Sequence, residues 1–135
     1  MRDSSVDGAK KVVLVLEDDK PIGELIRSVL AEEGLEPLLA SNGIQALAFV
    51  REHLPELLLA DIHLAGSEPV EDIVHAVRSF TGPELPLLAM SASREDGRAE
   101  ALEAYGFLSK PFDLATLLEE VQRGLELRQQ RVRLS

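Results

Sequence analysis

The chain has 135 residues, enough for one domain with a packed core, and 45% of them are hydrophobic. It contains no cysteine, which excludes a disulfide framework and any thiolate metal site. With 14 basic against 24 acidic residues the formal net charge is −10, which argues against non-specific nucleic-acid binding by the body of the protein.

Met1 to Lys10 is polar and aperiodic, lacks an apolar leader, and reads as a disordered tail. No apolar stretch approaches the length of a membrane span, so the expectation is a soluble, cytoplasmic protein. The first strand is expected over Lys11–Leu16, followed by Glu17-Asp18-Asp19. Asp19 is placed to cap a helix that opens near Lys20 or Pro21. Ile22, Leu25, Ile26, Val29 and Leu30 form its inner face, and Gly34 ends it. A second strand, Glu36–Ala40, contains Pro37, which cannot donate to a ladder and so marks an edge. Ser41-Asn42-Gly43 turns into a helix from about Ile44 to His53, with Ala46, Leu47, Val50 and Leu54 inward. Pro55 stops it.

The run Leu57-Leu58-Leu59-Ala60-Asp61 reads as a strand buried on both faces and tipped by a carboxylate. Ile62 to Pro69 is a loop, and a third helix is expected over Val70–Ser79, with Val70, Ile73, Val74 and Val77 on one face. After Thr81-Gly82-Pro83, a fourth strand runs from Leu85 to Ser91 with Pro86 at its start. The fourth helix, Arg94 to Ala104, is poorly patterned, with Ala99, Ala101, Leu102 and Ala104 as its inner face. A short strand, Phe107–Ser109, precedes Lys110-Pro111. Asp113 caps a last helix that turns Leu114, Leu117, Leu118, Val121 and Leu125 inward. Arg123, Arg128, Arg131 and Arg133 crowd its end against the single acid Glu126. They suit either the negative pole of a solvated helix end or a linker or contact surface for an acidic partner.

Strands alternating with helices imply a parallel sheet with helices on both faces, in which ligands bind beyond the carboxyl ends of the strands. Glu17, Asp18, Asp61, Ser91 and Lys110 all fall at such ends. Asp61 is a candidate carboxylate nucleophile, able to form an acyl phosphate. Glu17 and Asp18 offer the hard oxygen ligands that Mg2+ prefers. Lys110 can pair with Asp61 at rest and with a phosphoryl oxygen after transfer, and the Ser91 hydroxyl can donate to another. The three histidines, His53, His63 and His75, lie on different elements and are not read as a metal cluster. His63, two residues after Asp61, is placed at the rim of the pocket.

Through VVLVLEDDKPI, LLLADIHLAG, LLAMSAS and FLSKPFDLATLLEEV the chain resembles the receiver domain of two-component response regulators, of the chemotaxis-regulator type, over about residues 11–127. The tail at 1–10 and a basic tail or linker at 128–135 then flank the receiver. The resemblance implies an α/β, flavodoxin-like three-layer fold with a five-stranded parallel sheet of order 2-1-3-4-5. It implies that Asp61 accepts a phosphoryl group from a sensor histidine kinase or a histidine phosphotransfer protein. Glu17, Asp18, Asp61 and the main-chain carbonyl of His63 would hold Mg2+. Ser91 and Phe107 would be the switch pair, and Pro111 a cis proline after Lys110. The face of helix four, strand five and helix five would meet an output partner or a second copy, with no direct nucleic-acid or membrane binding by this domain. Such a chain is a phosphoacceptor signalling domain, not an enzyme acting on a separate substrate.

The sequence departs from the family in three places. The loop after the third strand reads Ala65-Gly66-Ser67-Glu68-Pro69, the stretch from Ser91 to Lys110 is short by a few residues, and Phe107 lacks a tyrosine's hydroxyl. The rival readings are a phosphorylation-independent pseudo-receiver acting as an interaction module and an aspartate-nucleophile phosphohydrolase. The second is weakened by His63, which stands where such enzymes place an acid/base aspartate. A flavin carrier of this fold needs a phosphate loop after strand one, where Glu17-Asp18-Asp19 would repel a phosphate.

Overall fold

Short apolar runs separated by amphipathic stretches can bury both of their faces only as a central sheet between two helical layers. The computed structural model describes residues 9–66, 68–92 and 97–134 and has this arrangement. Five strands, β1 (Val12–Leu16), β2 (Glu36–Ala40), β3 (Leu57–Asp61), β4 (Leu87–Ser91) and β5 (Gly106–Ser109), alternate with five helices. The helices are α1 (Lys20–Glu32), α2 (Gly43–Glu52), α3 (Val70–Thr81), α4 (Arg98–Ala101) and α5 (Leu114–Leu134). All neighbouring strands are parallel, in the order β2-β1-β3-β4-β5. Pro37 sits on the edge strand β2 opposite Val13, where its missing N–H costs no ladder bond on the open side.

Alternation along the strands divides the core in two. Leu14, Leu16, Leu58, Ala60, Leu87 and Ala89 face one side, against Ala46 and Val50 of α2, Val70, Ile73, Val74 and Val77 of α3, and Ala99 of α4. Val13, Val15, Leu57, Leu59, Leu88 and Met90 face the other, against Ile26 and Leu30 of α1 and Leu117, Val121 and Leu125 of α5. Asp19 caps α1 by accepting from the Ile22 N–H at 3.1 Å, and Asn42 caps α2 by accepting from the Gln45 N–H at 2.9 Å. Gly34 has φ +84, a conformation that favours glycine at the end of a helix.

Four positions expected to face inward do not. Leu25, Leu54 and Leu114 are 47%, 60% and 39% exposed, and Ala101 is exposed as well. Leu25 lies at the margin of the α1 stripe, Leu54 lies past the end of α2, and Leu114 is the first residue of α5, before the helix lies fully on the sheet. Helix α4 is a single turn: Leu102 and Ala104, expected within it, follow its end, and Glu103 there has φ +58. Helix α5 continues through residues 128–134 without a break. The expected tail up to residue 8, the start of the fourth helix at Arg94 and Ser67 in the loop lie outside the described residues.

The α5–sheet contact is tight enough to need a glycine. A Cβ on Gly124 would meet the Tyr105 hydroxyl and lie 2.7 Å from Leu57 Cδ1. Helix propensity alone would make Gly124→Ala stabilising by about 1 kcal/mol. Overpacking against Tyr105 and Leu57 costs more, about 1–3 kcal/mol, so the substitution should destabilise. A lowered urea midpoint with unchanged m-value is the expected result.

Candidate functional site

The carboxyl edge of the sheet collects the polar residues singled out above. β1 delivers Glu17 and Asp18, β3 delivers Asp61, β4 delivers Ser91 and β5 leads into Lys110. Because β1 and β3 are neighbours at the middle of the sheet, their two acidic ends meet. Carboxylate oxygens of Glu17, Asp18 and Asp61 all lie within 4.8 Å of one another. Glu17 and Asp61 are buried and Asp18 is partly exposed.

Lys110 answers two of these charges. Its Nζ donates to Glu17 Oε1 at 2.6 Å and to Asp61 Oδ2 at 2.9 Å. The backbone of Lys110 is itself fixed to β4, its N–H donating to the Ser91 carbonyl at 2.9 Å, and the Lys110–Pro111 peptide is cis. Burial opposes the Lys110 ammonium, but its hydrogen bonds to Glu17 and Asp61 outweigh that and hold its pKa above the ordinary lysine value. For Glu17, burial dominates and raises the pKa, while the bonds from Lys110 and from the Asp19 N–H pull it back.

Backbone N–H groups orient the remaining oxygens. The Asp19 N–H donates to Glu17 Oε2 at 3.1 Å and the His63 N–H to Asp61 Oδ1 at 2.9 Å. The Ala65 N–H donates to Asp18 Oδ2 at 3.1 Å, which ties the loop after β3 to the loop after β1. The sequence signals for Asp61, Glu17, Asp18 and Lys110 therefore lead to one pocket. Two links had no signal in spacing or pattern: Lys110 to Glu17, 93 residues apart, and Asp18 to Ala65, 47 apart.

Ser91 is buried at the end of β4. Phe107 is half-buried on β5, packed against the α2–α3–α4 side of the core. It borders a cavity of about 280 Å³ that Ala99, Glu100, Ala104, Tyr105 and Gly106 also line. The His63 ring is exposed, with Nδ1 3.4 Å from Arg98 Nη1. His53 ends α2, and His75 lies exposed on α3. The edge as a whole offers a carboxylate beside a hard oxygen donor set, a lysine held between two acids, and a buried hydroxyl.

Comparison with known proteins agrees with this geometry. The family model of the response regulator receiver domain matches residues 13–122. An uncharacterised 14.6 kDa protein of Leptolyngbya boryana is 32% identical over 118 residues, covering 85% of this chain and 90% of that protein. The phosphate regulon transcriptional regulatory protein PhoB of Escherichia coli is 30% identical over 113 residues, 82% of this chain but 49% of its own length, so the chain spans about half of PhoB. The chemotaxis protein CheY4 of Vibrio cholerae superposes with a TM-score of 0.76 at 30% identity, over 87% of this chain and 100% of that one. The same five-stranded order, the acidic cluster at its carboxyl edge and the family match over most of the chain lead to one conclusion: this chain belongs to the receiver domains of two-component response regulators.

Proposed function

We propose that Asp61 accepts a phosphoryl group from the phosphohistidine of a sensor histidine kinase or a histidine phosphotransfer protein. The observation that carries this reading is the convergence of Glu17, Asp18 and Asp61 within 4.8 Å, with Lys110 bonded to two of them. An Asp61 carboxylate oxygen attacks phosphorus, the P–N bond to the donor imidazole breaks, and its electron pair stays on the imidazole nitrogen. Lys110, already placed beside Asp61, is positioned to transfer one of its N–H bonds to the arriving phosphoryl group.

Three carboxylates and one ammonium leave two negative charges at the pocket, which suits one divalent cation, and an all-oxygen donor set suits Mg2+. Glu17, Asp18, Asp61 and the main-chain carbonyl of His63 would hold it. When bound there, such an ion supplies neutralising charge to the phosphoryl oxygens. Ser91 and Phe107 form the proposed switch pair: the hydroxyl at the end of β4 turns to a phosphoryl oxygen, and the half-buried ring beside its cavity repacks. The surface of α4, β5 and α5 then changes its preference for an output partner or a second copy of the chain. The domain acts as a phosphoacceptor in a cytoplasmic phosphorelay rather than as an enzyme on a separate substrate.

Asp61→Asn should not be labelled by acetyl phosphate in Mg2+, because an amide oxygen is a poor nucleophile and one ligand charge is lost. Intact-mass measurement of both proteins decides it; full labelling of the variant refutes the assignment.

Mg2+ should stabilise the folded protein by about 1.4 kcal/mol at a free concentration ten times its dissociation constant. The hydrogen bond from Ala65 to Asp18 separates two effects of substitution. Asp18→Asn keeps an acceptor oxygen and removes a like charge, so metal-free stability should rise and the Mg2+ effect shrink. Asp18→Ala also loses the acceptor, worth about 1 kcal/mol, and should show little or none of the gain. Thermal melts with and without Mg2+ test all three proteins.

Lys110→Ala leaves the buried Glu17 without its counter-charge and should cost about 2 kcal/mol or more in the absence of metal. It should retain Mg2+ binding, since a competing cation is gone, while phosphorylation fails to produce the output conformation in a partner-binding or dimerisation assay. The raised Lys110 pKa means its stabilisation is fully present below the unfolded lysine value of about 10.4 and is lost as pH rises through the higher folded value. Wild-type melting points should therefore fall in that alkaline window by more than those of Lys110→Ala.

A further inference from the structure

The loop after β3 carries the backbone groups that aim two of the acids, His63 N–H to Asp61 and Ala65 N–H to Asp18. A loop of this kind keeps its geometry only if it is held. The Asp18–Ala65 bond holds it from the β1 side. On the other side stands Arg98, the first residue of α4. Its Nε donates to Glu71 Oε2 at 3.0 Å and its Nη2 to Glu71 Oε1 at 3.1 Å, a two-point fork onto the first turn of α3. Its third nitrogen, Nη1, lies 3.4 Å from the His63 ring. One guanidinium thus joins α4, the start of α3 and the residue two beyond the nucleophile.

Its support is itself anchored. Arg78 of α3 donates through Nη1 to the carbonyl of Leu102, just past the end of α4, at 3.0 Å, and through Nε and Nη2 to the Leu85 carbonyl at 3.3 and 3.0 Å. Both ends of the single-turn α4 are therefore tied to α3 by arginines. Arg98 reaches His63 from a fixed base.

The Arg98–Glu71 pair is half exposed, 30% and 42% for the two side chains, so screening leaves it little weight in overall stability. Its planar fork nonetheless fixes direction in a way a lysine could not. The paired Glu71 also neutralises Arg98, which makes simple attraction of an anionic phosphodonor a weak explanation for a cation here. We propose that Arg98 is a positioning residue: with Glu71 it braces the loop after β3 through His63, and so sets Asp61 and Asp18 for the divalent cation and the phosphodonor. This role rests on the phosphoacceptor reading of the same pocket.

The experiment measures Mg2+ affinity of the unphosphorylated protein by calorimetry, and acetyl phosphate labelling at subsaturating Mg2+, for wild type, Arg98→Ala, Arg98→Lys, Glu71→Ala and the Arg98→Ala/Glu71→Ala double variant. Each single variant should weaken Mg2+ binding by about threefold or more and slow labelling in proportion, and the double variant should be no worse than the poorer single, as for residues acting as one unit. Melting points should stay within about 2 °C of wild type, which separates positioning from loss of fold. Arg98→Lys keeps charge and bulk, so it reports on the fork itself if Arg98→Ala folds poorly. Wild-type affinity in both Arg98 variants, or losses that add in the double variant, overturns the brace. Wild-type protein that binds no Mg2+ and takes no label overturns the phosphoacceptor reading and the brace with it, whereas a labelled wild type with indifferent Arg98 variants overturns the brace alone.

Discussion

Lys110 lies between two carboxylates that the fold has forced together. Its Nζ is 2.6 Å from Glu17 and 2.9 Å from Asp61, and the Glu17 side chain has no exposed surface. An ionised carboxylate cannot be buried beside another without a counter-charge; desolvation and repulsion would instead protonate one of them. The direction of the Glu17 pKa shows that pressure, since burial raises it even with the lysine present. The lysine makes the acidic pair tolerable without extinguishing it. The third acid, Asp18, is left to the solvent side, and the pocket keeps a surplus of negative charge.

Strand order explains why the neutralising group must be long. β1 and β3 are adjacent, but Lys110 follows β5, which is separated from β3 by β4. The side chain has to pass the end of β4, and β4 ends in a small residue, Ser91, whose carbonyl also receives the Lys110 N–H. That backbone bond starts the lysine at the end of β4, and the length of its side chain covers the remaining distance to Glu17 and Asp61.

Most of the fold was legible in the sequence because burial on both faces leaves little ambiguity in runs such as Leu57–Ala60 and Leu87–Met90. Asp19 as a cap was legible because capping is local. The errors at Leu25, Leu54, Ala101 and Leu114 come from margins and ends of helices. There, helical periodicity gives a direction but not a neighbour. The acidic pocket was legible in composition but not in wiring. Nothing in the spacing says that Lys110 bonds Glu17 as well as Asp61, or that Asp18 spends an oxygen on Ala65. Arg98 and Glu71 were less visible still, because in sequence a paired surface charge looks the same as a solvated one.

Three of the arginines of α5 make contacts within the domain that composition alone does not show. Arg123 lies 5.0 Å from the Tyr105 ring centroid and donates to the Tyr105 carbonyl at 3.2 Å, while the Tyr105 hydroxyl donates to the Glu120 carbonyl at 2.6 Å. Arg131 donates to the Glu84 carbonyl at 3.3 Å, and Arg128 comes within 4.0 Å of Glu56. Glu56 and Glu84 precede β3 and β4, so these contacts fasten the last turns of α5 to the amino edge of the sheet, opposite the acidic pocket. Helix α5 is thus held at the Tyr105 end of β5 and again below the sheet. Its position is then coupled to that of β5, the strand that carries both Phe107 and the approach to Lys110. Helix α4, by contrast, is tied to α3 through Arg98–Glu71 and Arg78–Leu102. The two helices flanking β5 therefore have different anchors: α5 is fastened to the residue just before β5 and to the amino edge of the sheet, and α4 to its neighbouring helix.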